Sequence, residues 1–258
     1  MLSKNQAKYI RQLEQKKYRQ RENAFVAEGP KVVGDLLQCG FRPQLLVATD
    51  SWQQATGGTD VVRVSDEELR KVSFLQHPQQ VLAVFPIPED TSVVLEEKLY
   101  LALDGVQDPG NLGTIIRIAD WFGIDTIFCS RDTADAWNPK VVQATMGSIA
   151  RVHIIYSDLE ELLTRTTLPV YGTLLDGSDI YSEPLTPHGI IVMGNEGNGI
   201  SEAIRKIINR KLLIPAFREG AESLNVAIAT AITCSEFRRR ANGTPEGLKK
   251  RTIISGIA

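Results

Sequence analysis

Three glycine-bearing segments hold the residues best suited to chemistry. The first is Asp104-Gly105-Val106-Gln107-Asp108-Pro109-Gly110-Asn111-Leu112-Gly113-Thr114, followed by Arg117. Arg117 lies six residues beyond Asn111, so both can face one loop edge. Its glycines permit tight turns and close backbone approach to a ligand. The second, Gly194-Asn195-Glu196-Gly197-Asn198-Gly199-Ile200-Ser201, places three glycines in six residues. It matches neither the dinucleotide-binding GxGxxG nor the P-loop pattern. Its glutamate would repel phosphate and suits a ligand of cationic or hydroxyl character. The third runs from Ile214-Pro215 to Ser223-Leu224-Asn225-Val226.

Each segment also has a purely structural reading. Ser223 can serve as the N-cap of a closing helix whose core face is Leu224, Ala227, Ile228, Ala231 and Ile232. That explains Ser223 and leaves Asn225 without a role. Arg117 could pair with Asp120 or Glu196, and Glu196 could sit before a helix starting near Ser201, using its dipole. Convergence of all three segments on one sheet edge favours a functional site.

The elements that must position these loops alternate cleanly in the second part of the chain. Strands are predicted at 100–103, 126–129, 152–156, 170–174, 190–193 and 212–214. Helices are predicted at 112–122, after Asn138-Pro139, at 159–165, at 202–208 and from about 224 to 240. Repeated βα units imply an α/β fold, a mostly parallel sheet with helices on both faces. Ligands in such sheets bind beyond the carboxyl ends of the strands. Upstream, a charged helix over 4–20, strands at 25–29, 45–48, 61–64 and 81–85, and helices at 31–38 and 66–72 describe a smaller α/β domain. The Pro86–Ser92 stretch reads as a linker. The expected division is 1–88, a linker over 89–98, and 99–258.

Composition sets the surroundings. The chain has 258 residues, 43% hydrophobic and 23% charged, ordinary values for a globular protein. No apolar run approaches the roughly 18 residues that span a bilayer, and the N-terminal segment is polar throughout, so a cytoplasmic protein without a membrane partner is expected. Cys39, Cys129 and Cys234 are sparse and unpaired in sequence, suiting reduced thiols packed as small hydrophobes. His77, His153 and His188 are scattered too, so neither a metal site nor a histidine triad is expected. The net charge of −2 hides an asymmetry: residues 1–22 carry net +5, leaving −7 on the rest. Lys16, Lys17, Arg19 and Arg21 within that segment are either an electrostatic footprint for a polyanion or a solvated helix face.

Taken together, the three segments resemble the SpoU (TrmH-like) family of RNA ribose 2′-O-methyltransferases, within the SPOUT superfamily. The resemblance covers roughly 99–240. It rests on Asn111-x-Gly113-x-x-x-Arg117, then Gly194-Asn195-Glu196-Gly197-x-Gly199-Ile200-Ser201, then Ile214-Pro215 with Ser223-Leu224-Asn225-Val226. Between Pro215 and Ser223 lie seven residues, one more than in many members. Lys17-Tyr18-Arg19 and Phe25-Val26-Ala27-Glu28-Gly29 resemble the ribosomal-protein-like RNA-binding domain that often precedes this catalytic domain.

The resemblance implies a deep trefoil knot and a homodimer. It implies S-adenosylmethionine held by Thr173, Leu174, Gly194, Asn195, Gly197, Ile214, Pro215 and Leu224. Lys16, Lys17, Arg19, Arg21 and Arg117 would bind RNA, ribosomal more readily than transfer RNA. Asn111, Arg117, Glu196, Ser223 and Asn225 would form the catalytic set. An arginine stays protonated in proteins, so Arg117 is assigned to the target phosphate and the developing alkoxide rather than to proton removal. Asn111, Ser223 and Asn225 would orient Arg117 and the ribose, and Glu196 would hold the loop or polarise a neighbour. The alternative is a non-catalytic RNA-binding or ribosome-assembly factor that keeps this fold.

Overall fold

The computed structural model describes residues 2–54, 56, 58–89, 94–218 and 223–241. The chain opens with two helices, α1 (Lys4–Gln12) and α2 (Lys16–Glu22). Ser3 and Gln6 form a capping box at the start of α1. The single helix expected over 4–20 is thus broken after Gln12, because the Arg19 guanidinium takes the Leu13 and Glu14 carbonyls (2.8 and 2.7 Å). There follow β1 (Ala24–Glu28), α3 (Pro30–Gln38), β2 (Leu45–Ala48), β3 (Val61–Arg63), α4 (Asp66–Val72) and β4 (Val81–Pro86). They form a mixed sheet of order β1-β4-β2-β3, in which only the β2–β3 pair is parallel.

The second part contains β5 (Leu99–Asp104), α5 (Pro109–Trp121), β6 (Thr126–Cys129), α6 (Pro139–Ala144), β7 (His153–Tyr156), α7 (Leu159–Arg165) and β8 (Val170–Asp179). It closes with β9 (Gly189–Gly194), α8 (Glu202–Ile207), β10 (Arg210–Leu213) and α9 (Val226–Arg240). Its six strands pair in the order β10-β8-β9-β5-β6-β7, every pair parallel. Alternate residues of a strand face opposite sides, and both sides of this sheet are covered. Leu99, Leu101 and Leu103 join the core under α5 and α9, whereas Tyr100 and Ala102 join the core under α7 and α8. That double burial explains why β5 and β9 are apolar without alternation.

The two sheets are not separate bodies. Phe25, Ala27, Leu46 and Phe85 of the small sheet belong to the same buried cluster as Leu101, Ile116 and Ile127. The Phe25 and Trp137 rings meet at 4.7 Å between centroids. Part of the expected linker, 90–93, lies outside the described residues.

Two further expectations are corrected. The α9 core face is Val226, Ala227, Thr230, Thr233, Cys234 and Phe237, while Leu224 and Ile228 are half exposed. Thr230 and Thr233 can be buried because their hydroxyls donate to the carbonyls of Val226 and Ala229. Cys129 and Cys234 are buried, and burial pushes the Cys234 thiol up to about 12, but Cys39 is exposed.

Candidate active site

The three segments do meet at the carboxyl end of the parallel sheet, and their own side chains join them. Asp108 caps α5 by accepting from Asn111 N at 2.8 Å, with Pro109 in the first turn. The helix therefore starts three residues before the predicted 112, and Asn111 falls in its first turn. Gly113 answers packing rather than a ligand: a Cβ there would lie 2.4 Å from the Ala144 Cβ, so only glycine lets α5 approach α6 this closely.

Glu196 is the hub. Its Oε1 accepts from Asn111 Nδ2 (3.0 Å) and Asp108 N (3.1 Å), and its Oε2 from Gln107 N (3.2 Å). Glu196 thus reaches across to the β5–α5 loop instead of capping the helix at Ser201; the carboxylate that accepts from Ser201 N belongs to Asp104 (2.7 Å). Partial burial works to raise the Glu196 pKa. The hydrogen bonds from Asn111 and the Gln107 and Asp108 amides outweigh it and hold the carboxyl below its usual 4.5. Asn111 then accepts from Asn225 Nδ2 through its Oδ1 at 2.9 Å.

Asn225, not Ser223, caps α9. Its Oδ1 accepts from Ala227 N (2.9 Å) and Ile228 N (3.3 Å). One amide therefore does two jobs, which corrects the reading that capping explains Ser223 and leaves Asn225 idle. Ser223 is exposed, directly after 219–222, which lie outside the described residues.

Arg117 is exposed just over two turns along α5, and among the described residues it makes no hydrogen bond or ion pair. Neither of its expected structural partners takes it. Asp120 is engaged by Arg151 at 2.7 Å, and Glu196 by Asn111 and backbone. Arg117 stands about 9 Å further along the α5 axis than Asn111, at about 1.5 Å per residue, and its free guanidinium fork can bind an anionic group.

The expected cofactor residues line adjacent strand ends. Thr173 and Leu174 lie within β8 where its pairing with β10 slips from Gly172 to Ser178, so 173–177 form a bulge in that ladder. Gly194 ends β9 and packs on Gly199–Ile200, where a Cβ would sit 2.3 Å from backbone. Ile214 and Pro215 are half-buried just after β10, and Leu224 is half exposed. At Gly197 a Cβ would meet only Asn195 Oδ1, at 3.6 Å, so glycine leaves open backbone there. Such a wall of main chain and apolar side chains fits an adenosine-bearing sulfonium ligand. Asn195 acts as a clamp rather than a free ligand: its Nδ2 donates to Gly105 O (2.7 Å) and its Oδ1 accepts from Gly197 N and Asn198 N.

On the small domain, Lys16 and Lys17 are exposed. Lys17 and Arg21 flank the Tyr18 ring at 5.0 and 4.8 Å, and Arg21 also pairs with Glu22. Arg19 departs from the expected RNA-binding set. It is only 2% exposed and its guanidinium binds Asp135 and the end of α1, so it cannot reach a phosphate. The sequence motifs assign no role to Asp108 or Asp135. The Asp108-Pro109 pair carried the signal for the first, and nothing local marks the second.

Among the described residues no cluster of His, Cys, Asp or Glu could hold a metal, and no helix is long and apolar enough to cross a membrane.

Comparison with known proteins agrees with this geometry. Residues 98–235 match the SpoU rRNA Methylase family, and residues 4–83 the MRM3-like substrate binding domain. The 23S rRNA (guanosine(2553)-2′-O)-methyltransferase RlmP of Bacillus subtilis is 33% identical, over 92% of this chain and 97% of the relative. A structure from Porphyromonas gingivalis, assigned to the TrmH family of RNA methyltransferases, superposes with a TM-score of 0.87 at 45% identity, covering 93% of this chain and 100% of that one. An AdoMet-bound rRNA methyltransferase from Sinorhizobium meliloti gives 0.85 at 32% identity, covering 94% and 97%. With more than half of the chain inside the family's span, and relatives of matching length along nearly all of it, this chain belongs to the SpoU rRNA methylase family.

Proposed function

We propose that this protein transfers a methyl group from S-adenosylmethionine to a ribose 2′-hydroxyl of ribosomal RNA. The observation that carries the reading is the Glu196–Asn111–Asn225 network, which locks the three motif segments together at the start of the helix that carries an uncommitted Arg117. When bound, S-adenosylmethionine supplies an electrophilic sulfonium methyl, so the protein's task is chiefly to position the ribose. Thr173, Leu174, Gly194, Gly197, Ile214, Pro215 and Leu224 would hold it, mostly through backbone. Arg117 grips the target phosphate and stabilises the alkoxide as it forms. It does not take the proton, which leaves to water. Asn111 and Asn225 hold the α5 and α9 ends in place, and Ser223 contacts the ribose.

Residues 1–88 bind RNA through the exposed Lys16, Lys17 and Arg21, 89–98 connect, and 99–258 carry out transfer. The relatives named as rRNA methyltransferases support ribosomal over transfer RNA. A homodimer is part of this reading. Arg117 and Trp121 lie one turn apart on α5, Trp121 is 64% exposed, and Ile228 is half exposed on neighbouring α9. A second copy covering that face would bring Arg117 to the other copy's cofactor pocket. The reading also includes the trefoil knot that the family resemblance implies, and action in the cytoplasm, where buried thiols stay reduced.

The test is incubation with isotope-labelled S-adenosylmethionine and unmodified total RNA, then nuclease digestion and mass spectrometry of the labelled nucleoside. A labelled 2′-O-methylnucleoside in ribosomal RNA, lost in Arg117→Ala and Asn225→Ala, is the expected result. Label on a base, or none despite cofactor binding, would overturn the reading.

A further inference from the structure

We propose that the buried Arg19–Asp135 pair is a positioning device that fixes the span between the RNA-gripping face of α2 and Arg117, and thereby selects which ribose is methylated. The proposal rests on the RNA-methylating reading above.

Arg19 stands among cations yet is withdrawn from solvent, which costs hydration that only good hydrogen bonds offset. Its Nε and Nη2 donate to Asp135 Oδ2, and its Nη1 donates to Leu13 O and Glu14 O. One side chain thus joins the end of α1, helix α2 and the loop after β6. That loop is itself fixed to the catalytic edge. Asp135 Oδ1 accepts from Trp137 N (3.0 Å), Ala134 N donates to Val106 O (2.9 Å), and Ser130 Oγ accepts from Gly105 N (2.8 Å). The next residues, Gln107 and Asp108, donate to Glu196. Hydrogen bonds and one short stretch of chain therefore connect the basic helix to the hub of the active site.

A second clasp lies at the opposite end of the sheet. Arg151, just before β7, donates to Asp35 of α3 (3.0 Å) and to Asp120 near the end of α5 (2.7 Å). The shared core already packs the small sheet against the large one, and the two clasps at opposite ends add directional bonds that fix its orientation on that core. This matters because contacts to phosphates position an RNA but carry no sequence information. A protein gripping backbone with Lys17 and Arg21 can still choose a nucleotide if the distance from grip to Arg117 is constant.

The experiment uses the full chain with Cys39→Ser, and spin labels on Gln20→Cys of α2 and Glu202→Cys of α8, both exposed positions. Pulsed dipolar spectroscopy reads the distance distribution, calorimetry reads S-adenosylmethionine binding, and 2′-O-methyl mapping reads the modified riboses. The clasp is cut by Asp135→Asn with Arg151→Ala and weakened by Arg19→Lys. We expect a narrow distribution in the parent protein that broadens when the clasp is cut. Cofactor affinity should stay unchanged, KM for RNA should rise about tenfold with kcat little altered, and label should spread to neighbouring riboses. Arg19→Lys should fall between. A broad parent distribution, or a cut clasp with the same KM and the same single ribose, would overturn the proposal. A parent protein with a narrow distribution but no methyl transfer would sink the activity, and ribose selection with it, while the fixed span would stand.

Discussion

The catalytic edge and the basic N-terminal helix use similar polar residues in opposite ways. At the catalytic edge, Asn111, Glu196 and Asn225 spend their hydrogen bonds on one another and on nearby backbone, and Arg117 is left without a partner among the described residues. On α2 the single group spent internally is Arg19, and the cations around it are left outward. In the first region a rigid frame presents one cation; in the second, one buried cation anchors a frame that presents several. Sequence position cannot tell the two kinds of arginine apart, whereas substitution can.

The largest effect on stability should come from Arg19→Ala. It strands Asp135, which is only 14% exposed, and removes the bonds to Leu13 and Glu14. Breaking one side of a buried pair costs about 3–5 kcal/mol, measurable by urea unfolding. The mirror case is Arg117→Ala, which should leave stability and cofactor affinity unchanged. It should lower kcat about 100–1000-fold, as loss of one preorganised donor does. An Arg117→Ala protein of normal turnover would remove the contrast between the two regions.

Asn225 separates framing from chemistry within one residue. Asn225→Asp keeps the oxygen that caps α9 but cannot donate to Asn111 Oδ1, so activity should fall with little change in melting. Asn225→Ala should lose the activity and about 1 kcal/mol of helix stability as well. If both variants melt alike, the capping role is wrong.

Acid sharpens the same comparison. Because the folded Glu196 carboxyl titrates below its usual 4.5, its contribution is present above about that pH and lost as pH falls through the lowered value. The stability gap between the parent protein and Glu196→Gln should therefore be widest near neutrality and close below about pH 4.5. A gap constant from pH 7 to 3 would show that the Glu196 charge does not stabilise the fold.

How legible this was in sequence follows from the range of the interactions involved. The βα alternation, the strands and the meeting of three loops come from local periodicity and parallel-sheet geometry, and they stand. The Asn138-Pro139 helix start was readable, while the same signal at Asp108-Pro109 was obscured by Gly110 and Gly113, which weaken helix propensity. The α9 core face departs from the apolar pattern because buried threonines satisfy their hydroxyls on their own helix, a feature hidden in any hydrophobic count. Arg19–Asp135 joins residues 116 apart in sequence, so no local pattern could announce it.

The smallest effects belong to Lys17 and Arg21, and they decide what the outward charges of α2 are for. Both are exposed and lie against the Tyr18 ring, and among the described residues Arg21 forms its ion pair with the adjacent Glu22. Surface pairs of that kind contribute under about 1 kcal/mol, so Lys17→Ala and Arg21→Ala should leave the melting temperature unchanged. If these cations meet phosphates, each substitution should reduce the slope of log K against log salt by about 0.9 for duplex-like RNA, or 0.7 for single strands. The loss should fall equally on all RNA sequences, because phosphate contacts do not read bases. Filter binding of ribosomal RNA fragments across a salt series would show it. An unchanged slope in both variants would make the face of α2 a solvated surface, leaving the small domain to hold RNA by other residues.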